Sequence, residues 1–169
     1  MIDNDMINLV KYFNDNTRDE LWDEYGESYK RWFGRQIRTL KNDVDSGANE
    51  KELSQFTYRL ALGYFGVGKQ GGLTSGLVTE DAMLKGVKTT ADHLLGTTQI
   101  GKHIHEECEK YNWDFDYMVN EWLYENLWLW MTIKVTTEEH RKDNIIRNEH
   151  SIEDKLLLKH YKKVSNLLG

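Results

Sequence analysis

The sequence predicts an α+β domain, mostly α, with several helices around a short ββα-metal-like element and one main strand at 127–135. Three observations carry that prediction. Apolar residues recur at helical spacing along most of the chain, capping residues stand ahead of those stripes, and only Leu127 to Val135 is apolar at nearly every position. With 169 residues, a hydrophobic fraction of 39% and 12% aromatics, the chain supports one core and hence a single domain over 1–169.

There is no proline, so element ends are read from caps and glycines. Thr17 followed by Glu20 has the form of a capping box. Leu21, Trp22, Tyr25, Trp32, Phe33, Ile37 and Leu40 then follow at helical spacing, which predicts one amphipathic helix to about Lys41. Asn49 with Glu52 signals a second helix, whose stripe of Leu53, Phe56 and Leu60 ends at Gly63. Gly63 to Gly76 is dense in glycine and predicts a turn-rich loop or hairpin. Thr79 caps a short helix through Met83 and Leu84, closed by Gly86, and Val87 to Thr90 is a brief extended piece. Thr98 opens a helix through Tyr111, and Asp114 or Asp116 opens another through Asn126. After the main strand, Thr136 or Thr137 starts a helix carrying Glu138, Glu139, His140 and Asn144. Ser151 with Asp154 caps a C-terminal helix over 151–169. The chain thus divides into a helical part at 1–62 suited to DNA contact, a candidate catalytic part at 79–150, and that last helix.

Composition excludes several function classes. No stretch reaches the roughly 18 to 20 consecutive apolar residues of a membrane span, and Met1 to Tyr12 lacks the pattern of a signal peptide. A cytoplasmic location with no membrane partner is the expectation. Cys108 is the only cysteine, which excludes an internal disulfide and a Cys-rich zinc module, so any metal falls to His, Asp, Glu or Asn. A net charge of −6 argues against a general nucleic-acid coat protein. The charge is nevertheless segregated: Tyr29 to Lys41 holds Lys30, Arg31, Arg35, Arg38 and Lys41 with no acid, after an acidic N-terminal stretch. Arg31, Arg35 and Arg38 lie at i, i+4 and i+7 on one helix face. That face suits phosphate contacts or a major groove, and equally a solvated face paired with nearby acids. Trp113, Trp122, Trp128 and Trp130 read first as core, since their neighbours are apolar too.

Gly63 to Lys69 has the glycine and lysine spacing of a phosphate-binding P-loop. Gln70 stands where Ser or Thr would bind magnesium, and a helix precedes instead of a strand. A loop carrying Lys69 towards a polyanion, or a plain surface loop, is the reading that remains.

All six histidines lie in the C-terminal half. His103 and His105 are two apart on a helix and face different ways, and His150 and His160 sit among charges. His93 and His140 stand apart from these. Asp92-His93 follows a short extended piece, Asn126 precedes the main strand, and His140 and Asn144 are four apart on one helix face. Phosphodiester hydrolysis needs a base for water and a cation for the phosphate charge. His93 suits the base, Asp92, His140 and Asn144 the ion, and Asn126 a brace for the loop of His93. Asp92 as a helix cap and His93 as a hydrogen-bonded turn residue is the competing reading, and Glu138 and Glu139 are first-turn acids that complement the helix dipole.

Thr-Thr-Ala-Asp92-His93-Leu-Leu, Ile-Gly101-Lys-His-Ile, Trp113-Asp-Phe-Asp-Tyr-Met, Glu121-Trp122 and Val-Thr-Thr-Glu-Glu-His140 together resemble the HNH, or ββα-metal, nucleases. More narrowly they resemble small phage free-standing homing endonucleases. About one third of the chain, Asp92 to Asn148, carries the likeness. It implies a metal-dependent DNA endonuclease with His93 as general base, Asn126 structural and His140 on the metal, Mg2+ or alternatively Mn2+. It also implies double-stranded DNA as partner; the basic helix face of Arg31, Arg35 and Arg38, read from its spacing, and Lys69 would position the duplex. A homodimer is expected if both strands are cut. The alternatives are a non-catalytic phage DNA-binding or host-interaction module, and another metal-dependent nuclease fold using Asp81, Asp92 or Glu106.

Overall fold

α1 (Asn4–Phe13) runs through a π turn at Asn14–Arg18 straight into α2 (Asp19–Asp45). The chain is described here by a computed structural model covering residues 4–63, 72–79, 81–141 and 164–166. The helix start predicted at Thr17 is corrected. Phe13 and Asp19, flanking the turn, both keep αR backbone angles, whereas an N-cap leaves that region. Thr17 Oγ1 instead donates to the Ser75 carbonyl at 3.3 Å, a long-range bond that the local Thr-x-x-Glu pattern does not reveal.

α3 (Glu50–Leu62) begins and ends as its sequence dictates. Asn49 accepts from the Glu52 amide at 3.0 Å and donates through Nδ2 to Glu52 Oε1 at 2.9 Å. Gly63 closes the helix in the left-handed region at φ 62°. β1 (Leu73–Thr79) follows, in what the glycines had marked as a turn-rich stretch. A one-turn 3-10 segment at Asp81–Met83 precedes β2 (Thr89–His93), so His93 stands on a strand and not in a loop.

α4 (Thr97–Lys110) opens at Gly96, and its helical residues begin one before Thr98. α5 (Phe115–Tyr117) is capped by Asp114, which accepts from the Tyr117 amide at 3.1 Å, and continues through a π turn at Met118–Trp122 into α6 (Leu123–Glu125). The main strand is shorter and later than predicted. Leu127–Trp130 is a 3-10 turn, and β3 spans Met131–Thr136. An apolar run does not separate a strand from a buried turn. Leu127, Leu129 and Trp130 are apolar because the core surrounds them, and Trp130 Nε1 donates to the Leu60 carbonyl at 3.1 Å.

Residues 137–141 are helical and follow β3 directly. Val164–Asn166 forms β4, which corrects the predicted C-terminal helix at those three positions. The remainder of that prediction, and its cap at Ser151 and Asp154, lies outside the described residues. The sheet order is β2-β3-β1-β4, with β3 parallel to β1 and both edge strands antiparallel to their neighbours. The fold is therefore α+β and mostly helical, with helices packed on a small mixed sheet. Among the described residues, no helix is long and apolar enough to cross a membrane.

Ile133 and Val135 of β3 are fully buried, while Lys134 between them is exposed, which marks the inner face of the sheet. Against it lies an aromatic core. Phe33 stacks on Trp122 at 5.8 Å with planes 9° apart, and Trp130 meets Phe33 edge-on at 5.9 Å and Trp32 at 6.5 Å. Trp122 and Trp130 are thus core residues.

Cys108 is buried on α4, and that burial, followed by Glu107 and Glu109, pushes its thiol up to about 12. It should stay inert to a disulfide reagent at mildly alkaline pH until denaturant is added, read by thiolate release. In the unfolded chain the thiol ionises from its ordinary 9.0, so the folded state holds more protons between there and about 12. Stability should fall as pH rises through that window. Tyr29, pushed from 10.0 to about 12 chiefly by burial, adds to the same alkaline loss.

Candidate active site

The end of the β2–β3 pair and the helix that leaves it form the candidate centre. Asp92 is in register with Ile133, and His93 with Thr132. Thr136 ends β3 and caps the helix at 137–141. The Glu139 amide donates to Thr136 Oγ1 at 3.1 Å, and Glu139 Oε1 accepts from the Thr136 amide at 2.9 Å, a reciprocal capping box. The same Oε1 accepts from Thr79 Oγ1 of β1 at 2.8 Å. Glu139, 9% exposed, therefore pins the helix to the far strand as well as to its own start.

With the helix fixed in rotation, the next residue meets β2. His140 Nδ1 lies 3.0 Å from Asp92 Oδ1, across 48 positions of sequence. Asp92 is 1% exposed, while the His140 side chain is 35% exposed. Against an ionised carboxylate, which only accepts, Nδ1 is the donor and Nε2 is left as the ring nitrogen with basic or ligating character. A buried carboxylate behind an imidazole is the support used both for metal-ligating and for proton-transferring histidines.

His93 is placed differently from its neighbour. Successive strand residues point to opposite faces, so His93 projects away from the face on which Asp92 meets His140. It lies on the side of its cross-strand partner Thr132. A Cβ placed on Gly72 would stand 2.6 Å from the Thr132 methyl, 2.9 Å from His93 Nε2 and 2.9 Å from the Trp130 carbonyl. His93 Nε2 is buried there, beneath the backbone of Gly72. His93 thus leaves β2 on the other side of the strand from Asp92, one residue along from the pair. Asn126 is elsewhere: its Nδ2 donates to the Trp122 carbonyl at 2.9 Å and closes the end of α6. Asn144, Lys69, His150 and His160 lie outside the described residues. His103 and His105 face Glu107 and Glu109 along α4, at 3.6 and 2.9 Å.

Among the described residues, no group of three His, Cys, Asp or Glu side chains is gathered for a metal. The donors at the pair still suit one in type. An oxygen-backed imidazole, with Asn144 four residues further along the chain, is a nitrogen and oxygen set that divalent ions accept.

The second feature is the basic face of α2. Arg31, Arg35 and Arg38 are all exposed, and among the described residues none of them forms an ion pair with an acid. The lysines beside them do: Lys30 with Glu27 at 3.2 Å and Lys41 with Asp45 at 2.9 Å. Arg38 sits over the Phe115 ring at 3.9 Å, and Lys41 over Trp113 at 5.5 Å. Sequence reasoning missed these two rings; the one trace was Gly34, an isolated glycine inside a helix. Comparisons of the chain with protein-family models, curated proteins and solved structures give no match.

Proposed function

We propose that the chain is a metal-dependent DNA endonuclease whose centre is the Asp92–His140 pair. The observation that carries this reading is the 3.0 Å bond between a buried Asp92 carboxylate and a partly exposed imidazole. The pair joins β2 to the helix that follows β3, and β2 and β3 are antiparallel neighbours although α4 to α6 separate them along the chain; this arrangement supports an HNH-like reading. His140 Nε2 would hold a divalent ion, Mg2+ or Mn2+, with Asn144 a further donor. That ion would neutralise charge on the phosphate and acidify a bound water. Asp92 keeps the proton on Nδ1 and fixes the ring, and the Thr136–Glu139 box holds the helix that carries it. Arg31, Arg35 and Arg38, exposed and without acidic partners among the described residues, supply phosphate contacts away from the centre.

Incubation of the purified protein with supercoiled plasmid tests the proposal. Nicked or linear product is expected with Mg2+ or Mn2+ and none with EDTA. Absence of product under both ions overturns it, and DNA binding that persists in EDTA would then favour a non-catalytic module.

A further inference from the structure

We propose that the groove between α2 and the 111–119 segment binds a single strand of nucleic acid, with phosphates on Arg31 and Arg35 and a base on the Arg38–Phe115 pair. That the strand is DNA rests on the proposed function above; the groove itself does not.

One wall is a line of cations. By the rise of a helix, Arg31, Arg35 and Arg38 are spaced about 6 and about 10 Å along the axis from the first. In a chain of net charge −6, the window Tyr29 to Lys41 is kept free of acids. The other wall is aromatic, and its seating depends on Gly34, where any Cβ would lie 2.8 Å from Phe115 Cζ. Phe115 therefore rests against the helix and carries the Arg38 guanidinium above its ring. A cation held over an aromatic ring is a platform on which a base can stack.

The wall is extended by strained backbone. Asn112 and Trp113 both adopt left-handed angles, φ 53° and 55°. A bulky residue keeps that conformation only where its surroundings impose it. Here the Trp113 amide donates to the Cys108 carbonyl at 2.8 Å, and its indole ends beside Lys41 and His105. Two adjoining pockets result, of about 310 and 420 Å3, which share Arg38 and Phe115.

The second wall decides between one strand and two. The rings of Phe115 and Trp113 line the same pockets as the arginines, and a ring can stack only on a base that is unpaired, so the two walls together suit a single strand. Cations tracking a backbone beside rings that take any base are the arrangement of sequence-tolerant single-strand sites. An acidic peptide would use the cations and leave the rings idle.

Fluorescence anisotropy in EDTA reads binding without cutting. The probes are a short labelled oligothymidylate, a duplex of equal length and oligoglutamate. The single strand is expected to bind tightest, more weakly as salt rises. Arg38→Ala should lose roughly 5- to 100-fold in affinity. Arg35→Ala should lower the salt slope by about 0.7. Both positions are exposed, and unchanged melting temperatures would confirm that the variants fold. Equal or tighter binding of duplex or oligoglutamate, or unchanged affinity of Arg38→Ala, overturns the proposal. Metal-dependent cutting without single-strand binding sinks the groove and leaves the activity; single-strand binding without cutting under either ion does the reverse.

Discussion

Asp92→Asn is expected to slow metal-dependent cutting by roughly 10- to 100-fold, the usual effect of removing the support behind a ligating histidine. His140→Ala should lose more, because it removes the nitrogen itself. The two variants should differ in kind. Asn keeps the shape of Asp92 and still accepts from Nδ1 at 3.0 Å, so the ring stays in place but loses the facing charge. A higher metal concentration for half-maximal cutting should follow, with a melting temperature close to that of the parent chain. His140→Ala should show no rescue by added metal. His93→Ala is the contrasting case. Its ring fills space between Thr132 and the backbone of Gly72, so its loss should lower stability first and cutting only as far as folding suffers. Loss of cutting in His93→Ala at unchanged stability, together with full activity of Asp92→Asn, would return the reacting role to His93 and overturn the assignment of the pair.

The readings that match the structure at element ends rest on partners three residues apart. Asn49 with Glu52, Asp114 with the Tyr117 amide, and Thr136 with Glu139 are all bonds that adjacent sequence can encode. Thr17 and Glu20 carry the same local pattern, yet the chain stays helical through them because Thr17 is drawn to Ser75, 58 positions away. β1 was hidden for a related reason. Its register with β3 pairs Leu73 with Met131, it is broken by an irregularity between Thr74 and Val78, and Gly76 interrupts any alternation. Within the site, order along the chain was enough to group Asp92 with His140. It was not enough to fix the side of the strand from which His93 points, because one residue of register on a strand exchanges one face for the other. The arginine face was legible from its i, i+4, i+7 spacing. The rings opposite it were not, since only the packing of the 111–119 segment on Gly34 brings them there.

A large loss of stability is expected from adding a single methyl group at Gly101. α4 crosses α3 at this residue so closely that a Cβ would lie 2.3 Å from the Thr57 carbonyl oxygen, 2.6 Å from its carbon and 2.7 Å from Thr57 Cβ. Two of these atoms are helix backbone, which cannot turn aside as a side chain can. Propensity alone favours Ala over Gly inside a helix by about 1 kcal/mol, so the sign depends on which effect is larger. Overpacking at such distances belongs at or above the upper end of the usual range, about 3 kcal/mol. Relief by moving α4 away from α3 would expose Leu60, Ile100 and Ile104, all fully buried, and would strain the Trp130 bond to the Leu60 carbonyl. A net loss of about 2 kcal/mol or more is the result, a fall of roughly 4 to 8 °C in a chain of this size. Gly26→Ala provides the control. It carries the same propensity gain, but its nearest neighbour is the Trp22 ring at 3.3 Å, a half-exposed side chain that can shift by a few tenths of an ångström. Thermal melts should therefore separate the two substitutions, with Gly26→Ala neutral or stabilising and Gly101→Ala clearly destabilised. A Gly101→Ala protein as stable as its parent would mean that α3 and α4 do not cross at this distance.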